Sequence, residues 1–113
     1  MDLQSLRELH AAVKDEAATY DDFLNCCQEL KGFHGRAYEA FEGELSGAHA
    51  LHDALLHERV ELIVNYSKRY GTTLVLQDMP SLLNVTGGSG SDNFARAWLL
   101  AILSALIEQE EQK

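Results

Sequence analysis

His49, Asp53, His57 and Glu61 recur at every fourth position of the chain. On an α-helix this spacing draws one slowly turning stripe. Imidazole nitrogens and carboxylate oxygens are ligands for divalent metals, and helical bundles build metal sites from such residues on facing helices. The stripe from His49 to Glu61 would be about 18 Å long, so only neighbouring members could share an ion. A second helix would have to complete the ligand set. His52 falls off the stripe, nearer the apolar positions. Two other uses fit the same residues: a solvated face of i,i+4 pairs, and proton sensing, because imidazoles beside carboxylates titrate near neutrality.

Glu39-x-x-Glu42 and Glu58-x-x-Glu61 repeat a second spacing. Four carboxylates facing one another across antiparallel helices would suit Mg²⁺ and the phosphates of a nucleotide. This pattern resembles the all-α nucleotide pyrophosphohydrolases of the MazG kind, which use E-x-x-E followed by E-x-x-D on neighbouring helices. The resemblance covers residues 39–61 and implies a Mg²⁺-dependent phosphohydrolase with Glu39, Glu42, Glu58 and Glu61 as its carboxylates. The chain departs from the pattern at Glu61, where that family has Asp, and lacks its preceding glutamate doublet. A bend near Gly43–Gly47 permits the arrangement, and one straight helix excludes it.

Other motifs are weaker. His57-Glu58-Arg59-Val60-Glu61 has Glu where the H-E-x-x-H zinc signature needs its second His ligand. Residues 86–92, TGGSGSD, place a glycine-rich loop before a helix, a phosphate-binding arrangement. No Lys follows the loop, and Asp92 puts a negative charge where a phosphate would sit. No serine lies in G-x-S-x-G. Tyr38, Phe41, Tyr66 and Trp98 would line a small-ligand pocket if their helices converge.

These residues depend on the elements that carry them. Leu3, Leu6, His10, Val13 and Ala17 alternate at spacings of three and four, which predicts an amphipathic helix over residues 2–18. Thr19 and Asp22 resemble a capping box that restarts the chain as a second helix, carried by Phe23, Cys27 and Leu30 up to Gly32 and Gly35. Residues 36–71 then predict one long helix or two helices hinged near Gly43–Gly47. Its apolar seam is Leu51, Leu55, Leu62 and Tyr66, widened by Leu56, Val60 and Ile63, with Lys68 and Arg69 in the last turn and Gly71 as its stop. Residues 72–76, TTLVL, read as a strand, with Leu82–Thr86 returning as its hairpin partner; a helical turn at Asp78–Leu83 is the competing reading. The last helix, 93–112, is apolar over most of its circumference. Its polar stripe is narrow: Asn93, Arg96, Ser104 and Glu108. Such a helix lies at the centre of a bundle or in a subunit interface.

The expected fold is therefore mainly α: one domain over residues 1–113, a three- or four-helix bundle with a short β-hairpin or extended segment before the last helix. The chain has 113 residues, 46% hydrophobic and 24% charged, with a formal net charge of −9. The acid excess is uneven. Residues 1–30 hold Asp2, Glu8, Asp15, Glu16, Asp21, Asp22 and Glu29 against Arg7 and Lys14. No basic stripe is present to hold a nucleic acid backbone. An acidic surface suits a basic partner. No signal-peptide pattern opens the sequence, and Ala97–Leu103 is too short to span a bilayer. Cys26 and Cys27 are adjacent and poorly placed for a mutual disulfide, which fits a reducing compartment. The expectation is a cytoplasmic, non-catalytic protein-binding module of the adaptor, inhibitor or immunity-like kind. It would be a homodimer through Phe94, Trp98 and Ile102, without a cofactor, nucleic acid or membrane. The alternative is a divalent-metal protein using the central histidines, or the phosphohydrolase-like carboxylate site.

Overall fold

The computed structural model describes residues 3–56, 60–67, 71–78, 83–87 and 94–111. The fold is mainly helical, as expected. Five helices, α1 (Leu3–Lys14), α2 (Tyr20–Leu24), α3 (His34–Phe41), α4 (Leu45–Leu55) and α5 (Phe94–Glu111), enclose one core. Three strands, β1 (Val60–Ser67), β2 (Gly71–Asp78) and β3 (Leu83–Gly87), lie between α4 and α5 in sequence. They form an antiparallel sheet of order β1-β2-β3, registered from Val60 opposite Asp78 to Ser67 opposite Gly71, and from Leu74 opposite Gly87 to Asp78 opposite Leu83.

α1 forms because its apolar residues fall on one face. Leu6, Leu9 and Val13 are buried, and burying each contributes about 1.5–3 kcal/mol. The helix stops in a Schellman arrangement. Ala17 N–H donates to Ala12 O and Glu16 N–H to Val13 O, with Glu16 at φ 60°. The same six-to-one and five-to-two bonds recur twice more. Gly32 N–H donates to Cys27 O and Lys31 N–H to Gln28 O; Glu44 N–H donates to Glu39 O and Gly43 N–H to Ala40 O. At α2 the Asp22 carboxylate accepts from Thr19 N–H at 2.8 Å, so the expected restart is present.

The central stretch is not one helix. Gly43, at φ 108°, ends α3, and α4 begins at Leu45. Gly47 has a different task. A Cβ there would lie 2.5 Å from Arg36 O, 2.9 Å from Glu39 Cβ and 3.0 Å from Ala40 N. With Ala37, Ala40 and Ala48 also buried, α3 and α4 approach with almost no side chain between them. A hinge and a close helix contact are both present, four residues apart.

A second correction concerns residues 60–67. Their apolar spacing continues the seam of the helix before them, yet they form β1. VELIVNYS is rich in β-branched and aromatic residues, and a short apolar run of this kind is ambiguous by periodicity alone. Pairing with β2 along its whole length decides it. Gly71, expected as a helix stop, opens β2. Lys68 and Arg69 lie outside the described residues.

α5 is the central helix. It packs against α1, α3, α4, β2 and β3, and buries Ala95, Ala97, Leu99, Ala101, Ile102, Leu103, Ala105 and Leu106. Phe94, Trp98, Leu100 and Ile107 on the same helix are part-buried. No helix among the described residues is long and apolar enough to cross a membrane.

Candidate functional site

The break at Gly43 and the end of α4 at Leu55 redistribute the residues singled out by spacing. His49 and Asp53 sit on α4, with His49 Nδ1 3.5 Å from Asp53 Oδ2; both side chains are about two-thirds exposed. Glu61 is on β1, so the four-residue spacing does not continue as one helical stripe. His57 and Glu58 lie outside the described residues. Glu39 is on α3, where it pairs with Arg36 at 3.4 Å, and Glu42 caps the same helix. The phosphohydrolase pattern needs paired glutamates on two neighbouring helices; here Glu61 is on a strand, and Glu58 lies outside the described residues. Among the described residues no three His, Cys, Asp or Glu side chains converge as a metal site.

The histidines of α4 instead surround Trp98. Trp98 Nε1–H donates to His52 Nδ1 at 3.2 Å. An indole only donates, so His52 Nδ1 must be the bare acceptor and its proton sits on Nε2. Nδ1 is thereby withdrawn from metal ligation. His49 meets the Trp98 ring edge-on at 6.2 Å, His52 at 5.6 Å and Phe94 at 6.3 Å. Trp98 and Phe94 are half-buried in this cluster. Ile102, expected at a dimer interface, is fully buried in the chain's own core and cannot reach a partner.

α2 and α3 carry the richest aromatic surface. Tyr20 contacts His34 at 5.9 Å and Tyr38 at 5.4 Å, both edge-on. Behind them Phe23 touches Tyr38 and Phe41, and the Phe41 ring lies under the Arg96 guanidinium at 4.5 Å. Phe23 and Phe41 are buried, which fixes the layer. The outer members are not covered. Tyr20 is 45% exposed, Leu24 43% and Phe33 38%. Tyr20 and Leu24 are four residues apart on α2, and Phe33 is the N-cap of α3, which packs against α2. Asp15 and Asp21 are exposed in the same part of the chain, with Lys31 at its far end. Tyr38 and Phe41 thus belong to this layer, while Trp98 belongs to the α4 cluster; Tyr66 is on β1.

A cleft between α1 and α2 is lined by Ser5, Glu8, Leu9, Asp22, Asn25 and Cys26 and encloses about 70 Å³. This is far below the ~300 Å³ of an organic-ligand site. Its carboxylates are engaged: Glu8 accepts from Gln4 at 3.2 Å and Asp22 from Thr19. The buried Cys26 thiol donates to Ser5 O at 3.4 Å, while Cys27 is exposed.

Two contacts escape any spacing rule because their partners are distant in sequence. His10 Nε2 lies 2.9 Å from Ser104 Oγ across the seam of α1 and α5. Burial, and after it the neighbouring Lys14, hold His10 below its ordinary value of 6.5. Arg96 donates to Phe41 O at 2.9 Å and to Glu16 at 3.1 Å. The one sequence signal for both is polar residues set in otherwise apolar faces. In comparison with known proteins, no family model matches the chain, and no curated protein or solved structure matches it either.

Proposed function

We propose that this protein is a non-catalytic protein-binding module whose binding face is the α2–α3 edge, and that its partner is basic and apolar. The observation that carries this reading is the grouping of Tyr20, Leu24 and Phe33. They are three of the four large hydrophobic residues that stay exposed among the described residues, and they sit on α2 and at the start of α3, two helices that pack together around Phe23, Tyr38 and Phe41. Grouped apolar exposure of this kind marks contact surfaces, whereas scattered exposure does not. Tyrosine supplies large, rigid contact area at low entropic cost. The surrounding stretch supplies the charge: residues 1–30 hold seven acids and two bases. The cytoplasm is the compartment that best fits the free Cys26 and Cys27.

The metal and phosphohydrolase alternatives depend on His57 and Glu58, which lie outside the described residues, and are not part of this reading. An α5-mediated homodimer is not part of this reading, because Ile102 faces inward. Affinity capture tests the proposal, using wild type, Leu24→Asp with Tyr20→Ala, and Glu108→Gln as a control. The expected result is a basic protein retained by wild type and the control and lost with the double variant. Identical capture by all three proteins would overturn it.

A further inference from the structure

α1 is fastened to α5 by polar contacts that depend on protonation. Arg7 pairs with Glu111, and His10 meets Ser104 at 2.9 Å. Just past the helix, Glu16 accepts from Arg96 at 3.1 Å. The helices run antiparallel, so these ties are spread along the seam. Beneath them lie Leu6, Leu9 and Val13. At the Ser5 end, α1 also covers Cys26, whose thiol donates to Ser5 O and is 2% exposed.

Arg7, His10 and Lys14 stand at i, i+3 and i+7, on one stripe of α1. A proton on His10 would put three cations within about 10 Å along that stripe. The facing helix answers weakly. Ser104 is uncharged, Glu111 is already paired with Arg7, and Arg96 is itself a cation. Glu108 shares the α5 stripe with Ser104 and Glu111, yet the surroundings still disfavour charge on His10: burial does so first and Lys14 second. Glu8 and Asp22, at the cleft beside Ser5, are engaged with Gln4 and Thr19. Ser104 can donate to a neutral imidazole or accept from a protonated one. The cost of protonation therefore falls on desolvation and like-charge repulsion rather than on this bond.

We propose that the α1–α5 seam is an acid-sensitive latch: protonation of His10 loosens α1 from α5 and uncovers the Cys26 thiol. The device is local, because α3, α4 and the aromatic layer around Phe23 and Phe41 make their contacts without His10.

The native cysteines give the readout. With Cys27→Ser in place, Cys26 is the only thiol. Its reaction with 4,4′-dithiodipyridine is followed at about pH 7.5 and about pH 5.5, on either side of the ordinary imidazole range. His10→Gln in the same background keeps a neutral hydrogen-bonding side chain, and its rate at each pH removes the intrinsic pH dependence of the thiol. The two proteins should react alike at the higher pH. At the lower pH the protein that retains His10 should react faster, by up to about tenfold, the ceiling set by a pH one unit below the ordinary imidazole value. Lys14→Gln, which keeps His10, should reduce that acceleration. Equal rates at the lower pH for the protein that retains His10 and its His10→Gln variant would overturn the proposal. So would an undiminished acceleration in Lys14→Gln, or an acceleration that coincides with loss of the far-UV circular dichroism of the whole chain.

Discussion

Replacing Gly47 with alanine tests the packing that splits the central stretch into two helices. Alanine is the better helix former by about 1 kcal/mol, so propensity alone predicts a gain. The surroundings predict a loss. The new methyl would stand 2.5 Å from Arg36 O and 3.0 Å from Ala40 N, both backbone atoms of α3 that no rotamer change can move. The third neighbour, Glu39 Cβ at 2.9 Å, is bound directly to the same backbone. Normal contact needs several tenths of an ångström more at each, so α3 and α4 must separate as bodies. Overpacking of this kind costs about 1–3 kcal/mol. Wherever in that range the steric cost falls, Gly47→Ala should be less stable than propensity predicts, with a net loss of up to about 2 kcal/mol. Gly35→Ala is the internal control. It lies in α3 with nothing within 4 Å of a new Cβ, and should be neutral or stabilising by up to about 1 kcal/mol. Urea denaturation followed by circular dichroism, with the slope m held in common, measures both. Gly47→Ala as stable as Gly35→Ala would refute the close approach of α3 and α4.

Further outcomes follow from the same contacts. Because His10 is held below its ordinary value in the folded chain, the unfolded chain binds its proton first as pH falls. Stability should therefore be full above about pH 6.5 and decline as pH falls through the lowered folded value, and His10→Gln should flatten this part of a stability–pH curve. Arg96→Met removes two hydrogen bonds and the stack over Phe41, and should cost about 2 kcal/mol in chemical denaturation. At neutral pH a thiol reagent should consume one cysteine rapidly, and peptide mapping should find it at Cys27, with Cys26 protected.

Where local patterns and tertiary contacts agree, the fold is legible from the chain. The apolar face of α1, the restart at Thr19–Asp22, and an α5 too apolar to be a surface helix are each local patterns, and each is present. The strand character of TTLVL is local too, and β2 contains it. β1 is not legible in this way. Val60, Leu62, Ile63 and Tyr66 satisfy helical spacing, and only pairing with β2 makes them a strand. The same limit applies to the stripe of His49, Asp53, His57 and Glu61. A four-residue repeat has meaning only along one helix, and the helix ends at Leu55, before His57 and Glu61. Gly43 and Gly47 look alike in the sequence, and only φ and the distance to α3 separate their tasks. Arg96 and Ser104, read as part of a narrow polar stripe, are the residues that bind α5 to α1 and α3; their partners lie 55 to 94 positions away. The edge of Tyr20, Leu24 and Phe33 is invisible to spacing, because Tyr20 and Leu24 extend the apolar pattern of buried Phe23 and only burial tells them apart.

Hydrogen–deuterium exchange on the protein with its captured basic partner measures the binding face directly. With the partner bound, new protection should concentrate in residues 20–34, the stretch that holds Tyr20, Leu24 and Phe33. Protection that leaves this stretch unchanged and falls instead on α5 or the β-sheet would contradict the account.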